Sequence, residues 1–490
     1  MSYSPTHEDP TRENKKDIES QEPAVLEKSL SHRLDYGEEA QSVASTDGIF
    51  DQLAQEEDGH DIKFRTMGWK KAAALLFGEQ VCLAIMAQSW SYSILGWGPG
   101  IAVSIAFGIF FWVTSYTLWR FIMRHPHVRD VCDIGYILFG NSRIAYELTG
   151  VMLILNNVML IGFHVLTAAK IFNTLSDHSL CTVVFSVIAT LIGIVFSVPR
   201  TLNHVSIMSI FSAVCMAIAI LLFLISAGIE DHPALGYNGA YPIDGPVKTY
   251  GSPLPGTTWI QIFNAVLNIG FLFVPQLLFP TFIAEMRNPK DFPKALGALA
   301  VASFILFIVP AAIGFEFLGQ YTTAPAFGSL EIVYKKASFA FVIVPTIVIG
   351  AIYSNVTCKY VYRRVMRESP HQHRHTIQGW APWILITTVV WFVGFIFAEV
   401  IPSMGDFLSL LAALFDSFFG FIFWAIAYWR LYKGEYFNGP LRSANTVFHM
   451  VVLCVGLWML GPGLAAAVEA IKTDYAGSTR PAFTCADLSL

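Results

Sequence analysis

From Gly68 onward the chain is a succession of apolar segments, each close to the length, about 20 residues, that crosses a bilayer's hydrocarbon core. In lipid a backbone must satisfy its own polar groups, and a segment of that length does so as a helix. Eleven such segments are predicted, at about 70–95, 98–121, 146–172, 181–198, 204–228, 259–284, 294–318, 335–357, 379–401, 404–429 and 444–470. The fourth is short. Trp97, Trp112, Trp119, Trp380 and Trp429 fall near predicted ends, where aromatic rings favour the headgroup boundary. The expected fold class is an all-α polytopic membrane protein. With 54% hydrophobic and 14% charged residues, composition places the chain in the same class.

Alternate loops differ sharply in basic charge. With the N-terminus in the cytoplasm, the inner side receives twenty Lys and Arg, among them Lys63, Arg65, Lys70, Lys71 and the run Lys359, Arg363, Arg364 and Arg367. The outer side receives six: Lys170, Lys248, Lys335, Lys336, Lys472 and Arg480. Basic residues stay cytoplasmic, so the N-terminus is expected inside and the C-terminus outside. The plasma membrane is the expected location, with the vacuolar membrane as the alternative.

Residues 1–66 hold 16 acidic and 7 basic side chains and few large apolar ones. Such a stretch cannot bury enough surface to offset the entropy of ordering, and it is expected to be a disordered cytoplasmic tail. Its Ser and Lys residues offer sites for phosphorylation or ubiquitin attachment; a solvated tail without a specific role is the competing reading. Residues 67–471 form the transmembrane domain, and 472–490 a short extracytoplasmic tail.

Within this series the stretch 259–297 is unusual. It begins as an apolar helix, meets Gly270 and Pro275 near its middle, then Pro280, and leaves through a polar run beginning at Glu285. Proline lacks an N–H and clashes with the preceding turn, so the helix is expected to break or kink. Freed backbone groups are tolerated only inside protein or beside an aqueous cavity. A broken helix at mid-membrane depth is how many transporters build a substrate site; a purely structural kink is the alternative. Asn264 and Asn268 share a face leading to Gly270, which favours a cavity-facing reading over simple helix–helix hydrogen bonds. Asn268, Gly270, Phe271 and Pro275 are the candidate substrate-binding residues here. Asn156, Asn157, Gln276, Trp90, Tyr92 and Phe273 are read chiefly as packing.

The polar exit E-M-x-N-P-x-x-F-P-K-A is carried by Glu285, Met286, Asn288, Pro289, Phe292, Pro293, Lys294 and Ala295. An interrupted sixth helix with this ending resembles the amino acid/auxin permeases, in particular the fungal neutral and aromatic amino acid permeases. The likeness extends over most of 68–471 as helix number and spacing. It implies a LeuT-type inverted-repeat fold with helices 1 and 6 interrupted, and proton-coupled amino acid uptake. It further implies that the amino end of the outer half of helix 1 receives the substrate carboxylate, where free N–H groups and the helix dipole favour an anion. In this sequence that end falls near Ala84–Ser89, so Ala84, Ala87, Gln88 and Ser89 are candidate substrate contacts, with Ser89 or Ser91 able to cap. Relatives usually carry Gly and Pro around this break; here the run is Ala-Ile-Met-Ala-Gln-Ser. By the same resemblance Glu285 is expected at an inner gate, paired with a cytoplasmic arginine, against the plainer reading of an interfacial carboxylate.

Ionisable side chains deep in a membrane are costly and mark function. Glu79 lies about nine residues into helix 1, roughly 14 Å along its axis, and Asp416 lies near the centre of helix 10. Both are proton-coupling candidates, against the alternative of a carboxyl tying two helices together; His164 is a further one. Sodium coupling through Ser354 and Asn355 competes with the proton. No phosphate loop, nucleophile elbow, zinc motif or nucleic-acid signature is present, so neither an enzyme nor a cofactor is expected. The expected partners are a small amino acid, protons and the bilayer. A carrier of another small solute, such as a nucleobase or polyamine, and then a channel or receptor, are the alternatives. Of seven cysteines, only Cys181 and Cys485 share the outer compartment with freedom to meet, which makes them the candidate disulfide.

Overall fold

The computed structural model describes residues 65–489 apart from 235–240, 243–244, 368, 402 and 478–481. Nearly all of the acidic tail therefore lies outside the described residues, as does Asp244 of the long loop between the fifth and sixth spans. Among the described residues every element is helical save a single parallel bridge between Met67 and Met286.

The first span is α1 (Trp69–Gln80) and α2 (Gln88–Leu95), separated by a 3-10 turn at Leu83–Ala87. It is followed by α3 (Trp97–Arg124), the short α4 (Val131–Leu138), α5 (Arg143–Ser176), α6 (Thr182–Phe196) and α7 (Leu202–Ile229). A second set opens with another divided span, α8 (Trp259–Leu272) and α9 (Phe279–Ala284). It continues through α10 (Phe292–Leu318), α11 (Ile332–Val365), α12 (Ile377–Val400) and α13 (Met404–Leu411). A π-helical stretch, Ala412–Ile422, joins α13 to α14 (Phe423–Leu431). The last span is α15 (Pro440–Trp458) and α16 (Leu464–Gly477).

Eight of these helices are long and apolar enough to cross a membrane, and the bent pair α1–α2 makes a ninth. The shorter apolar α6 and α8 occupy the remaining predicted positions. Three spans are interior: 78% of the apolar window is buried in α5, 72% in α11 and 78% across α13–α14, against 33–44% for the other long spans. Small residues let the interior columns approach. A Cβ on Gly162 of α5 would stand 2.7 Å from the Gly394 carbonyl of α12, so backbone meets backbone there.

Several boundaries depart from the sequence reading. Helix α11 runs well past the predicted end at 357, so Lys359 is inside a helix and not in a loop. Helix α4 was not expected. It is capped by Asp130, whose side chain accepts from the N–H groups of Cys132 and Asp133. The Cys181–Cys485 disulfide is present and brings the C-terminal tail onto the start of α6, where Thr182 Oγ1 also donates to the Ala486 carbonyl at 2.7 Å.

Candidate functional site

The site begins with two interruptions in the backbone. Helix α1 stops at Gln80, and Val81 leaves the helical region (φ −83°, ψ 72°). The Cys82 N–H then turns back only two residues, to the Gln80 carbonyl at 2.9 Å. The chain resumes as the 3-10 turn and α2, bent by 46°. The break therefore sits a few residues before the expected Ala84–Ser89 position, in a run without Gly or Pro.

The second interruption has a local cause. Pro275 cannot donate to the Phe271 carbonyl, and α8 ends at Leu272. Four carbonyls at the gap find other donors. Gly270 accepts from Phe273 N at 3.0 Å and Phe271 from Val274 N at 3.4 Å. Leu272 accepts from the Gln80 side chain at 3.3 Å and Phe273 from the Gln276 side chain at 3.5 Å. Gln276 also reaches Thr114 Oγ1 at 3.0 Å, tying the gap to α3.

Between the two interruptions lies a narrow cavity. Helix 1 contributes Glu79, Gln80 and Cys82; the α8–α9 gap contributes Phe271, Val274, Pro275 and Leu277. Helix α5 adds Asn156, Phe163 and His164, α11 adds Ile349 and Tyr353, and the π-helical stretch adds Asp416. Most of the wall is apolar, and no Lys or Arg is among its lining residues.

The two membrane carboxyls thus face one space. Glu79 accepts the Tyr353 hydroxyl through Oε1, and its Oε2 has no protein partner. Asp416 Oδ2 has none either. Both residues are more than nine-tenths buried. His164 stacks on Tyr353 with ring centroids 6.3 Å apart. Asp416 lies on π-helical backbone, a locally widened turn that recurs at functional sites. Among the described residues no three His, Cys, Asp or Glu side chains gather closely enough to hold a metal ion.

Of the sequence candidates, Glu79, Phe271, Pro275 and Asp416 line the cavity. Ala84, Ala87, Gln88, Ser89 and Asn268 are buried beside it without lining it. Neither serine caps the outer half-helix as expected. Ser89 Oγ donates to the Pro310 carbonyl at 3.3 Å and Ser91 Oγ to that of Ala87 at 3.4 Å. Gln88 donates to the Asn268 carbonyl at 2.9 Å, and Asn268 donates to Asn264 O and to Ser409 Oγ. Gly270 lies against Phe107, whose ring would be 3.0 Å from an added Cβ. Ser354 and Asn355 also lie outside the lining; Asn355 donates to the Pro199 carbonyl at 2.6 Å.

Glu285 forms a buried ion pair with Lys359 of α11. The two side chains are 1% and 3% exposed. Beside them the segment entering α1 is stitched to the E-M motif. Met67 N–H donates to the Glu285 carbonyl at 3.1 Å, and Arg287 N–H to that of Met67 at 2.7 Å. Asn288 caps the next turn, and Pro289 accepts the Trp119 indole at 3.1 Å, which ties the motif to α3. Sequence reasoning missed Tyr353, Gln80 and Lys359. A polar residue inside an apolar span was the available signal for the first two.

The sequence profile described as "Transmembrane amino acid transporter protein" matches residues 65–469. The N amino acid transport system protein of Neurospora crassa is 26% identical over 445 residues, covering 90% of this chain and 93% of its own. A protein described as a transmembrane transporter in Gibberella moniliformis is 26% identical over 440 residues, covering 89% and 90%. Among solved structures, Mhp1, a nucleobase-cation-symport-1 family transporter in a closed conformation with bromovinylhydantoin bound, superposes with a TM-score of 0.52. The overlap covers 85% of this chain and 94% of that one at 16% identity, a likeness of fold. The fold is the LeuT-type inverted repeat, with its first and sixth spans interrupted.

Proposed function

Since this chain belongs to the transmembrane amino acid transporter protein family, we propose that it is a proton symporter importing neutral amino acids with apolar or aromatic side chains. The observation that carries this reading is the meeting of both helix interruptions and two membrane carboxyls, each with an unpartnered oxygen, around one largely apolar cavity. The break after Gln80 sets the amino end of the turn Leu83–Ala87 beside the cavity, where a helix start suits a substrate carboxylate. Glu79 and Asp416 suit the two cations that must be carried, the substrate ammonium and the proton. Phe163, Phe271, Val274 and Leu277 supply apolar wall for a side chain. The Glu285–Lys359 pair closes the end of the pathway on the side richest in Arg and Lys, which the charge distribution assigns to the cytoplasm.

The same charge distribution favours a cytoplasmic N-terminus; the plasma membrane is the proposed location, and the Ser and Lys residues of 1–66 are offered as sites for phosphorylation or ubiquitin attachment. The test is uptake of labelled phenylalanine by cells expressing the protein, challenged with a panel of competitors. Neutral apolar and aromatic amino acids are expected to compete. Competition by nucleobases or polyamines instead would reject the substrate class.

A further inference from the structure

The two interruptions touch through glutamine side chains. Gln80 is the last residue of α1 and Gln88 the first of α2, so they flank the first break. Each donates its amide to a carbonyl in the final turn of α8: Gln80 to Leu272 at 3.3 Å, Gln88 to Asn268 at 2.9 Å. Gln80 is 4% exposed and Gln88 1%.

The two bonds differ in kind. Within α8 the Asn268 carbonyl already has a helical donor, the N–H of Leu272, so Gln88 adds a second bond to a satisfied group. The Leu272 carbonyl would need the N–H of Gln276, which the interruption at Pro275 takes away. Gln80 replaces that lost donor. The Leu272 carbonyl can only accept, so the amide N–H faces it, and the Gln80 Oε1 at the other end accepts the Ser303 hydroxyl of α10 at 2.6 Å. A flipped amide would set oxygen against oxygen.

We propose that Gln80 is a positioning residue whose amide fastens the break in the first span to the break in the sixth, holding Glu79 and Cys82 in place beside it. One side chain thereby completes the backbone of α8 and fixes the end of α1. The absence of Gly and Pro from the first break follows from this: the break is held from outside the segment by a buried amide. Gln88 is a secondary fastening, because its loss leaves no carbonyl without a donor.

Cys82 is a native reporter, since it is buried and lines the cavity. The full-length protein in lipid–detergent micelles is treated with N-ethylmaleimide, and labelling is followed at each cysteine by peptide mass spectrometry. In Gln80→Met, about the same size but without a donor, Cys82 is expected to label roughly tenfold faster or more, as an unsatisfied buried carbonyl favours opening. Labelling of the buried Cys358 should not change, which separates a local opening from general unfolding. Gln88→Met should accelerate Cys82 less. Uptake per surface molecule should show a raised KM in Gln80→Met. Cys82 labelling equal to wild type, or a larger effect in Gln88→Met, would overturn the assignment. Where Gln80→Met does not fold, Ser303→Ala removes only the hydroxyl that braces the oxygen end of the amide. It should give an intermediate acceleration, and no change there also overturns the proposal. Labelling does not depend on which solute is carried, so an error in the transport reading shows in wild-type uptake and an error here shows at Cys82.

Discussion

Lys359→Met tests how much of the closed end rests on one ion pair. The Lys359 ammonium and Glu285 carboxylate are bonded to each other at 3% and 1% exposure, so water screens neither. Removing one partner of a buried ion pair costs about 3–5 kcal/mol. That is about two to four decades in the folding equilibrium at 1.4 kcal/mol per decade. Removing both charges by Lys359→Met with Glu285→Gln takes away the desolvation cost together with the attraction and should restore most of the loss. The assay is SDS-titrated unfolding in mixed micelles, followed by tryptophan fluorescence, for wild type, both single variants and the double variant. The expected pattern is two unstable single variants and a double variant close to wild type. A double variant as unstable as Lys359→Met would refute the reasoning, because the loss would then come from packing of the lysine stem.

Other outcomes follow from the same geometry. Pro275→Ala restores a donor to the Phe271 carbonyl and should lower uptake severalfold at unchanged surface expression; uptake with wild-type kinetics would remove the argument from the interrupted helix. Glu79→Gln and Asp416→Asn should each abolish pH-driven accumulation while leaving substrate exchange measurable, and accumulation that survives both substitutions would take the proton off these carboxyls. Cys485→Ser opens a crosslink spanning 304 residues and should cost a few kcal/mol of stability. In intact cells Cys181 and Cys485 should label with maleimide only after reduction; full labelling without reductant would show that the bridge does not form.

The sequence made some of this legible and hid the rest for identifiable reasons. Span number and class were readable because a membrane imposes length and apolarity on each segment. Pro275 announced the second interruption through its missing N–H. The first interruption had no such mark. Its cause is the Gln80 amide bonded to a carbonyl 192 residues away, a contact that no local pattern contains. Glu79 and Asp416 stood out singly as charges in apolar helices, but their sharing of one cavity depends on how α1 and the π-helical stretch pack. Lys359 was misplaced because a lysine near a predicted helix end reads as interfacial. Here α11 continues past it and Glu285 makes its burial tolerable. Ser89 and Ser91 looked like caps because that residue type favours helix starts, yet both spend their hydroxyls on carbonyls.

The central claim is that a proton gradient drives amino acid accumulation through this cavity. Purified protein reconstituted into sodium-free proteoliposomes, acidic outside, should accumulate labelled phenylalanine above its equilibrium level, and a protonophore should collapse that accumulation. Uptake that ignores the proton gradient and appears only when sodium is supplied would contradict it.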